Sequence, residues 1–354
     1  MPQTATGARL ADLTTLRVGG PVRSLVDVDT EADLIDAVRE ADDAGTPLLV
    51  LGGGSNLLVA DEGFDGVAVR DARRGIRVAD AYACAGVTTT IPAGQPWDDV
   101  VVRAVAEGWV GVEALSGIPG STGATPVQNV GAYGQQVGDV LATVRVWDRA
   151  QRRVRTLAYG DLALGYRTSL LKRSIGEMGP TPRYVVLDVG LQLRFGSQSA
   201  PVRYGELARR LDVAVGDRAP LADVRETVLE LRRGKGMVLD AADPDTWSAG
   251  SFFTNPVLDA DEAAALPEGA PRYPAEGGRV KTSAAWLIER AGFAKGYGLP
   301  GPAALSTKHT LALTNRGTAS AADLLALARE VRDGVRAAYD IVLEPEPVLV
   351  GCTL

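Results

Sequence analysis

The chain has 354 residues, is 46% hydrophobic and 23% charged, and carries a net charge of −7, as an ordinary globular protein of two or three domains does. No apolar run reaches the roughly 18 residues of a membrane span. The opening MPQTATGARLADL lacks the basic and apolar segments of a secretory signal, so a cytoplasmic location without membrane contact is expected. Cys84 and Cys352 are too few and too distant for a disulfide framework or a zinc site, and both are expected to be reduced and structural. The arginines are scattered rather than gathered in a stripe, which argues against a nucleic-acid surface. The lone histidine, His309, excludes a multi-histidine centre, and no metal and no obligate protein partner are expected.

In chain order, RSLVDV reads as a strand. The helix that follows puts Leu34, Ile35 and Val38 on one face, with Thr30 as its cap and Gly45 at its end. PLLVLGGGSNLLV is a strand running into a glycine loop. YACAGVTTTI, Tyr82–Ile91, is expected as a strand, PWDDVVVRAVAEG as a helix, Ser116–Gly138 as a long ordered loop, and ATVRVWD as a strand. YVVLDVGLQLRF alternates as a strand, while LADVRETVLELRRGKG and KTSAAWLIERAG are helices. Ala321–Tyr339 is the clearest helix, with Leu324, Leu327, Ala328, Val331 and Val335 in one stripe behind Ser320. IVLEPEPVLVG closes the chain as a strand.

Two loops point to chemistry. Gly52, Gly53 and Gly54, followed by Ser55 and Asn56 directly after a strand, let a backbone approach phosphate oxygens closely. The motif is neither a P-loop nor G-x-G-x-x-G, and taken alone such a sequence is more often just a turn. The second loop, LSGIPGSTGATPVQNVGAYG, combines glycine and proline with Gln128, Asn129 and Tyr133, which suit hydrogen bonding to a flat heteroaromatic ring. Further on, AGSFFTNP is either a turn that buries Phe252 and Phe253 or a serine hydroxyl held dry beside them.

GGGSN followed by IPGSTGATPVQNVGAYG resembles the flavin-binding half of the UDP-N-acetylenolpyruvoylglucosamine reductase family. The likeness continues in order through GYRTSLLK, RYGEL, AGSFFTNP, KTSAAWLIERAG and LEPEPVLVG. The resemblance implies an α+β protein: an FAD-binding two-subdomain fold of the vanillyl-alcohol-oxidase/p-cresol-methylhydroxylase type with a C-terminal α/β substrate domain. The boundaries expected are 1–77 and 78–236 for the two FAD-binding subdomains and 237–341 for the substrate domain, with the strand 342–354 packing back on the first.

It also implies non-covalent FAD, NADPH as hydride donor, and a UDP-sugar carrying an enolpyruvyl group as substrate. The FAD contacts it implies are the first loop's Gly52 to Asn56, then Ile118, Pro119, Gly120, Gly123 and Ala124, and finally Asn129, Gly131, Ala132 and Tyr133. Arg167 in GYRTS matches the family's catalytic arginine, a cation for the developing enolate. Glu346 matches the second charged catalytic group, with Glu344 as the competing carboxylate, and Ser251 matches the proton donor. Tyr204, Lys235, Asn255 and His309 match positions that bind the diphosphate, and Tyr204 assigns the chain to the subclass with the longer substrate loop. Taken singly, Arg167 is also compatible with a surface turn, Glu346 with a solvated edge strand, and Lys235 with a helix-terminal cation. His309 stands where some relatives carry glutamine, Thr254 where a lysine is frequent, and Pro347 and Leu349 where Val and Phe are usual. An FAD-dependent oxidase of the same fold and a nucleotide-binding regulator without turnover are the alternatives. The absence of a histidine before residue 309 weighs against a covalently flavinylated oxidase, and the Ser251, Arg167 and Glu346 set weighs against both.

Overall fold

The computed structural model describes residues 3–82 and 86–354, so Cys84 lies outside the described residues. The chain forms two compact units. The first comprises Met1–Ala8, Val22–Gly54 and Asp65–Val238, and the second Arg9–Pro21, Ser55–Phe64 and Leu239–Leu354.

In the first unit a four-stranded sheet has the order Gln3–Ala5, Val22–Val28, Phe64–Asp71, Leu48–Leu51. Its last two strands are parallel, and the helix α1 (Glu31–Asp43) connects Val22–Val28 to Leu48–Leu51. The side chain of Thr30 accepts from the Asp33 amide and caps α1. Gly45, at φ +61°, ends it in the left-handed conformation that glycine adopts without steric cost. Leu34 and Val38 are fully buried while Ile35 is half-buried, and each buried aliphatic contributes roughly 1.5–3 kcal/mol.

A six-stranded antiparallel sheet forms the rest of this unit's framework. Its main path runs Arg153–Ala158, Leu141–Asp148, Tyr184–Phe195, Gly86–Pro92, Arg77–Tyr82, and Trp109–Val110 pairs with Tyr184–Phe195. The single strand expected over Tyr82–Ile91 is therefore corrected to the second half of a hairpin, with Arg77–Tyr82 pairing against Gly86–Pro92. Gly86 marks the change: it has φ +82°, and a Cβ there would lie 2.1 Å from the Leu193 carbonyl oxygen. The helix α2 (Trp97–Ala106) seats Trp97, Val100, Val101 and Ala104 on this sheet. A short α3 (Leu170–Arg173) follows the Arg167 turn. Then α4 (Gly205–Arg210) and α5 (Leu221–Gly234) share a small core made of Leu207, Ala208, Val224, Val228 and Leu231.

The second unit gathers its core around Phe252 and Phe253, whose rings meet edge to face at 5.1 Å. Helices α6 (Ala260–Ala264), α7 (Ala284–Arg290) and α8 (Ala321–Tyr339) surround it. Ser320 caps α8 in a reciprocal box with Asp323, and Leu324, Ala328, Val331 and Val335 of its stripe are fully buried, with Leu327 nearly so. Gly334 keeps the ring of Phe293 close, since a Cβ there would meet it at 2.4 Å. The closing strand is shorter than expected. Only Val348–Val350 is regular, and it pairs in parallel with Leu57–Val59. The prolines of LEPEPV interrupt the strand before it, leaving one bridge between Phe253 and Pro345. No helix among the described residues is long and apolar enough to cross a membrane.

Candidate active site

The two glycine loops of the first unit press against each other. A Cβ on Gly53 would stand 2.6 Å from the Gly120 Cα, and one on Gly52 would stand 2.5 Å from the Ser121 hydroxyl oxygen. Glycine at 52 and 53 is therefore a demand of close backbone approach rather than of a plain turn. Gly54 and Gly120 add left-handed backbone at φ +62° and +117°. Gly52 and Gly53 remain exposed, as do Pro119 and Ala124 of the second loop, while Ile118 is half-buried.

The second loop is ordered by its own polar groups. Short turns at Thr122–Ala124 and Val137–Asp139 and a two-stranded hairpin, Gly131–Ala132 against Gln135–Gln136, fill Ser116–Gly138. Gly123 packs so closely that a Cβ would meet that of Ala93 at 2.4 Å. Asn129, buried and at φ +47°, donates from Nδ2 to Gln136 Oε1 (3.0 Å) and to the Gly165 carbonyl (3.3 Å), and accepts from the Gly138 amide (3.0 Å). Its side chain is thus given to the loop itself. Beneath the hairpin Glu113, wholly buried, accepts from the Gly111 amide (2.7 Å), the Ala200 amide (2.6 Å) and Gln135 Nε2 (2.9 Å).

Arg167 is carried by a tight turn whose ends, Gly165 and Thr168, exchange backbone hydrogen bonds. It has φ +53°, a conformation uncommon outside glycine, and its Nη2 donates to the Gly131 carbonyl at 3.0 Å. Asn129 and Gly131 together tie the Arg167 turn to the second loop.

Tyr133, also in the left-handed region at φ +48°, places its ring edge to face with that of Tyr204 at 5.4 Å. Lys235 Nζ lies 5.6 Å from the centre of the Tyr133 ring and donates to Glu206 at 2.7 Å. Burial pushes the Tyr133 phenol above its ordinary range. Burial opposes the charge on Lys235, but the Glu206 carboxylate together with Tyr133 and Tyr204 outweighs it, and the ammonium is held above the usual lysine range. Tyr133, assigned from sequence to the cofactor, and Tyr204 and Lys235, assigned to the diphosphate, form one cluster.

In the second unit Phe252 and Phe253 are 1% exposed and Ser251 between them and Gly250 is half-buried. The Phe252 carbonyl accepts from the Glu346 amide at 2.8 Å and the Thr254 amide donates to the Glu344 carbonyl at 3.0 Å. Ser251 and Glu346 accordingly sit on neighbouring antiparallel segments. Asn56 Nδ2 donates to the Glu346 carbonyl and the Val348 amide donates to the Asn56 carbonyl, so Asn56 fixes the backbone around Glu346. Glu346 is half-buried where Glu344 is exposed. Asn255 Oδ1 accepts from the Ala284 amide at the start of α7 (2.9 Å). His309 lies on a loop held by Ser306, whose hydroxyl accepts from the amides of Lys308 (3.0 Å) and His309 (3.3 Å), and by buried Asp245, which accepts from the Thr307 amide and Arg316 at 2.8 Å each.

Sequence reasoning passed over Arg232. It is 7% exposed on α5; its Nη2 donates to the Met237 carbonyl at 2.7 Å, and its Nε has no hydrogen-bond partner among the described residues. Burial lowers its pKa to about 10, with the Tyr133 phenol and Asp98 carboxyl acting against that fall. The signal was available, since Val228 and Arg232 are four apart on a helix whose apolar face includes Val228. A buried donor lacking an acceptor, close to Gly117 at the start of the second loop, suits a ligand rich in carbonyl and phosphate oxygens. Together with the apposed glycines, it makes the first unit's residues a fit for a flavin dinucleotide.

Comparison with known proteins points the same way. Residues 22–157 match the family model of an FAD binding domain. Residues 243–350 match that of the C-terminal domain of UDP-N-acetylenolpyruvoylglucosamine reductase. Proteins of that name from Saccharopolyspora erythraea and Cutibacterium acnes are 57% and 55% identical over 98% of this chain, covering 96% and 90% of theirs. The crystal structure of the Thermus caldophilus reductase superposes with a TM-score of 0.65 at 26% identity, covering 99% of both chains. The α+β class, the FAD-binding domain and the distinct C-terminal domain expected from sequence all agree with these matches.

Proposed function

The chain belongs to the UDP-N-acetylenolpyruvoylglucosamine reductase family, and from that premise we propose how its own residues carry the family's reaction. The protein is an FAD-dependent oxidoreductase that reduces the enolpyruvyl group of UDP-N-acetylglucosamine enolpyruvate in peptidoglycan precursor synthesis, with NADPH as reductant in the cytoplasm. The observation that carries the reading is the Arg167 turn hung on the second glycine loop through Asn129 and Gly131. It joins the proposed catalytic cation to the proposed cofactor loop without an intervening flexible segment.

Gly52 to Gly54, with Ser55 and Asn56, and the second loop from Ile118 to Tyr133 would hold the dinucleotide, with Arg232 Nε donating to one of its oxygens. When bound, FAD would supply the hydride that bonds to the enolpyruvyl methylene carbon, with NADPH as the reductant. As that bond forms, the double-bond electrons move to the neighbouring carbon and into the carboxylate. Arg167 stabilises this developing charge with a planar, permanently protonated fork. Glu346 acts with it. Ser251 Oγ delivers the proton to that neighbouring carbon, completing the saturated lactyl ether, and the closely packed Phe252 and Phe253 restrict water around it. Tyr204, Lys235, Asn255 and His309 would bind the diphosphate of the substrate.

Half-reactions test the assignment. Ser251→Ala is expected to purify yellow and to bleach with NADPH anaerobically at the wild-type rate. Its colour should return on addition of the enolpyruvyl substrate at least about 10²-fold more slowly, the usual scale for losing a positioned acid. Recolouring at the wild-type rate overturns the role of Ser251. A colourless protein that cannot be reconstituted with FAD overturns the whole reading.

A further inference from the structure

Glu206 is left without a task by the reaction above. It lies in the first turn of α4, two residues after Tyr204, and accepts from Lys235 Nζ at 2.7 Å. Both side chains are about a third exposed, at 34% and 29%. The ammonium meant to receive the substrate's diphosphate already holds an anion, supplied by the helix that Tyr204 begins. The other titratable groups bearing on Lys235 and Tyr133 are the buried Arg232 guanidinium and the two neutral phenols, Tyr133 and Tyr204.

We propose that Glu206 is a resident counter-ion that competes with the diphosphate for Lys235, yielding it when substrate enters and reclaiming it when product leaves. The inference rests on the reading that Lys235 binds the diphosphate. A carboxylate tethered within reach acts as a competitor at high effective concentration, so a weak, singly charged anion does not displace it, whereas a diphosphate with several charges and acceptors does. Partial exposure makes the exchange feasible. Once displaced, Glu206 can turn to water and keep its charge solvated. The Arg73–Asp71 pair of the same unit, each side chain under a tenth exposed, has no such route, because separating it would strand two buried charges. The consequence is an affinity for nucleotide held below what Lys235 alone would give, and a faster exit for product.

The test is calorimetric titration of the FAD-loaded protein with UDP, inorganic pyrophosphate and uridine. Wild type is compared with Glu206→Gln, Lys235→Met and the double variant. Glu206→Gln is expected to bind UDP about 3–10-fold more tightly, in line with the release of one competing charge at a partly exposed pair. Pyrophosphate should gain similarly, uridine should not change, and Glu206→Asp, with a shorter reach, should gain less. In the Lys235→Met background the glutamine substitution should add nothing. If Glu206→Gln leaves UDP affinity unchanged or weakens it while Lys235→Met still weakens it, the carboxylate merely braces α4 and the proposal is wrong. Failure of the underlying reading looks different: Lys235→Met would then leave UDP affinity untouched.

Discussion

The loop from Ser116 to Gly138 and the Tyr204–Glu206–Lys235 cluster belong to the same unit and use polar side chains in opposite ways. At the loop the buried side chains of Asn129 and Glu113 make three hydrogen bonds each to their surroundings. In the cluster Lys235 and Glu206 make one bond to each other at the edge of solvent. A buried, fully satisfied network fixes a shape, because every alternative leaves a donor or acceptor unmet at about 1–3 kcal/mol each. A half-exposed pair fixes little, since water compensates either partner. The loop is therefore suited to presenting backbone to a ligand, and the cluster to trading one anion for another.

The contrast breaks most severely at Glu113. Glu113→Ala strands the amides of Gly111 and Ala200 and the Gln135 side chain, and a loss of about 3 kcal/mol or more is expected in urea unfolding of the FAD-loaded protein. Glu113→Gln, which keeps the size and one acceptor, should lose less. Next comes Gly53→Ala, where a Cβ meets the Gly120 Cα at 2.6 Å. Separating the loops at the usual overpacking cost of about 1–3 kcal/mol should weaken FAD binding by about 10–100-fold, seen as a lower ratio of flavin to protein absorbance. A wild-type ratio would show that the apposition is incidental.

Asp98 stands between the two cases, accepting from the Gly117 amide and from both terminal nitrogens of Arg225 with its side chain 37% exposed. Burial raises its pKa, but Arg225 and the Gly117 amide overcome this and hold it below the usual carboxylate range. Its folded pKa is depressed, so its stabilisation is complete above the unfolded value near pH 4 and disappears as pH falls through the folded value. Asp98→Asn should cost about 1 kcal/mol at neutral pH, given its exposure, and the gap from wild type should close progressively below pH 4. A gap that persists in acid would show that the carboxylate charge is not what stabilises the loop. The smallest effect is expected at the exposed pair of Arg152 and Asp43, where Asp43→Asn should leave the unfolding midpoint unchanged.

Much of the framework was legible because it is local. Thr30 and Ser320 announce their helices, and the apolar stripe of α8 is buried as its spacing requires. The second loop declared itself through glycine and proline in unusual density. What stayed hidden depends on distant partners. No strong turn residue other than Gly86 marks a break within Tyr82–Ile91, so the stretch reads as one strand although a new strand starts at Gly86, and only the nearby Leu193 carbonyl explains the glycine. Asn129 reads as a ligand contact, and the further service of its side-chain amide to Gly138, Gln136 and Gly165 is set by distant partners. Glu206 looked like any acidic residue in the first turn of a helix, because nothing local reveals that Lys235 comes to meet it.

The second unit takes Arg9–Pro21 and Ser55–Phe64 from the beginning of the chain and everything from Leu239 onward from its end. Leu57–Val59 gains its strand partner only when Val348–Val350 has been made. During synthesis these early segments, including buried Leu10, Leu16, Val18 and Leu58, must wait through the translation of the intervening unit. The order of events is thereby set by topology: the first unit can condense once its last segment is made, and the second only after Val348–Val350 is available. A fragment beginning at residue 239 should consequently be insoluble alone and be rescued by the missing N-terminal segments supplied in trans.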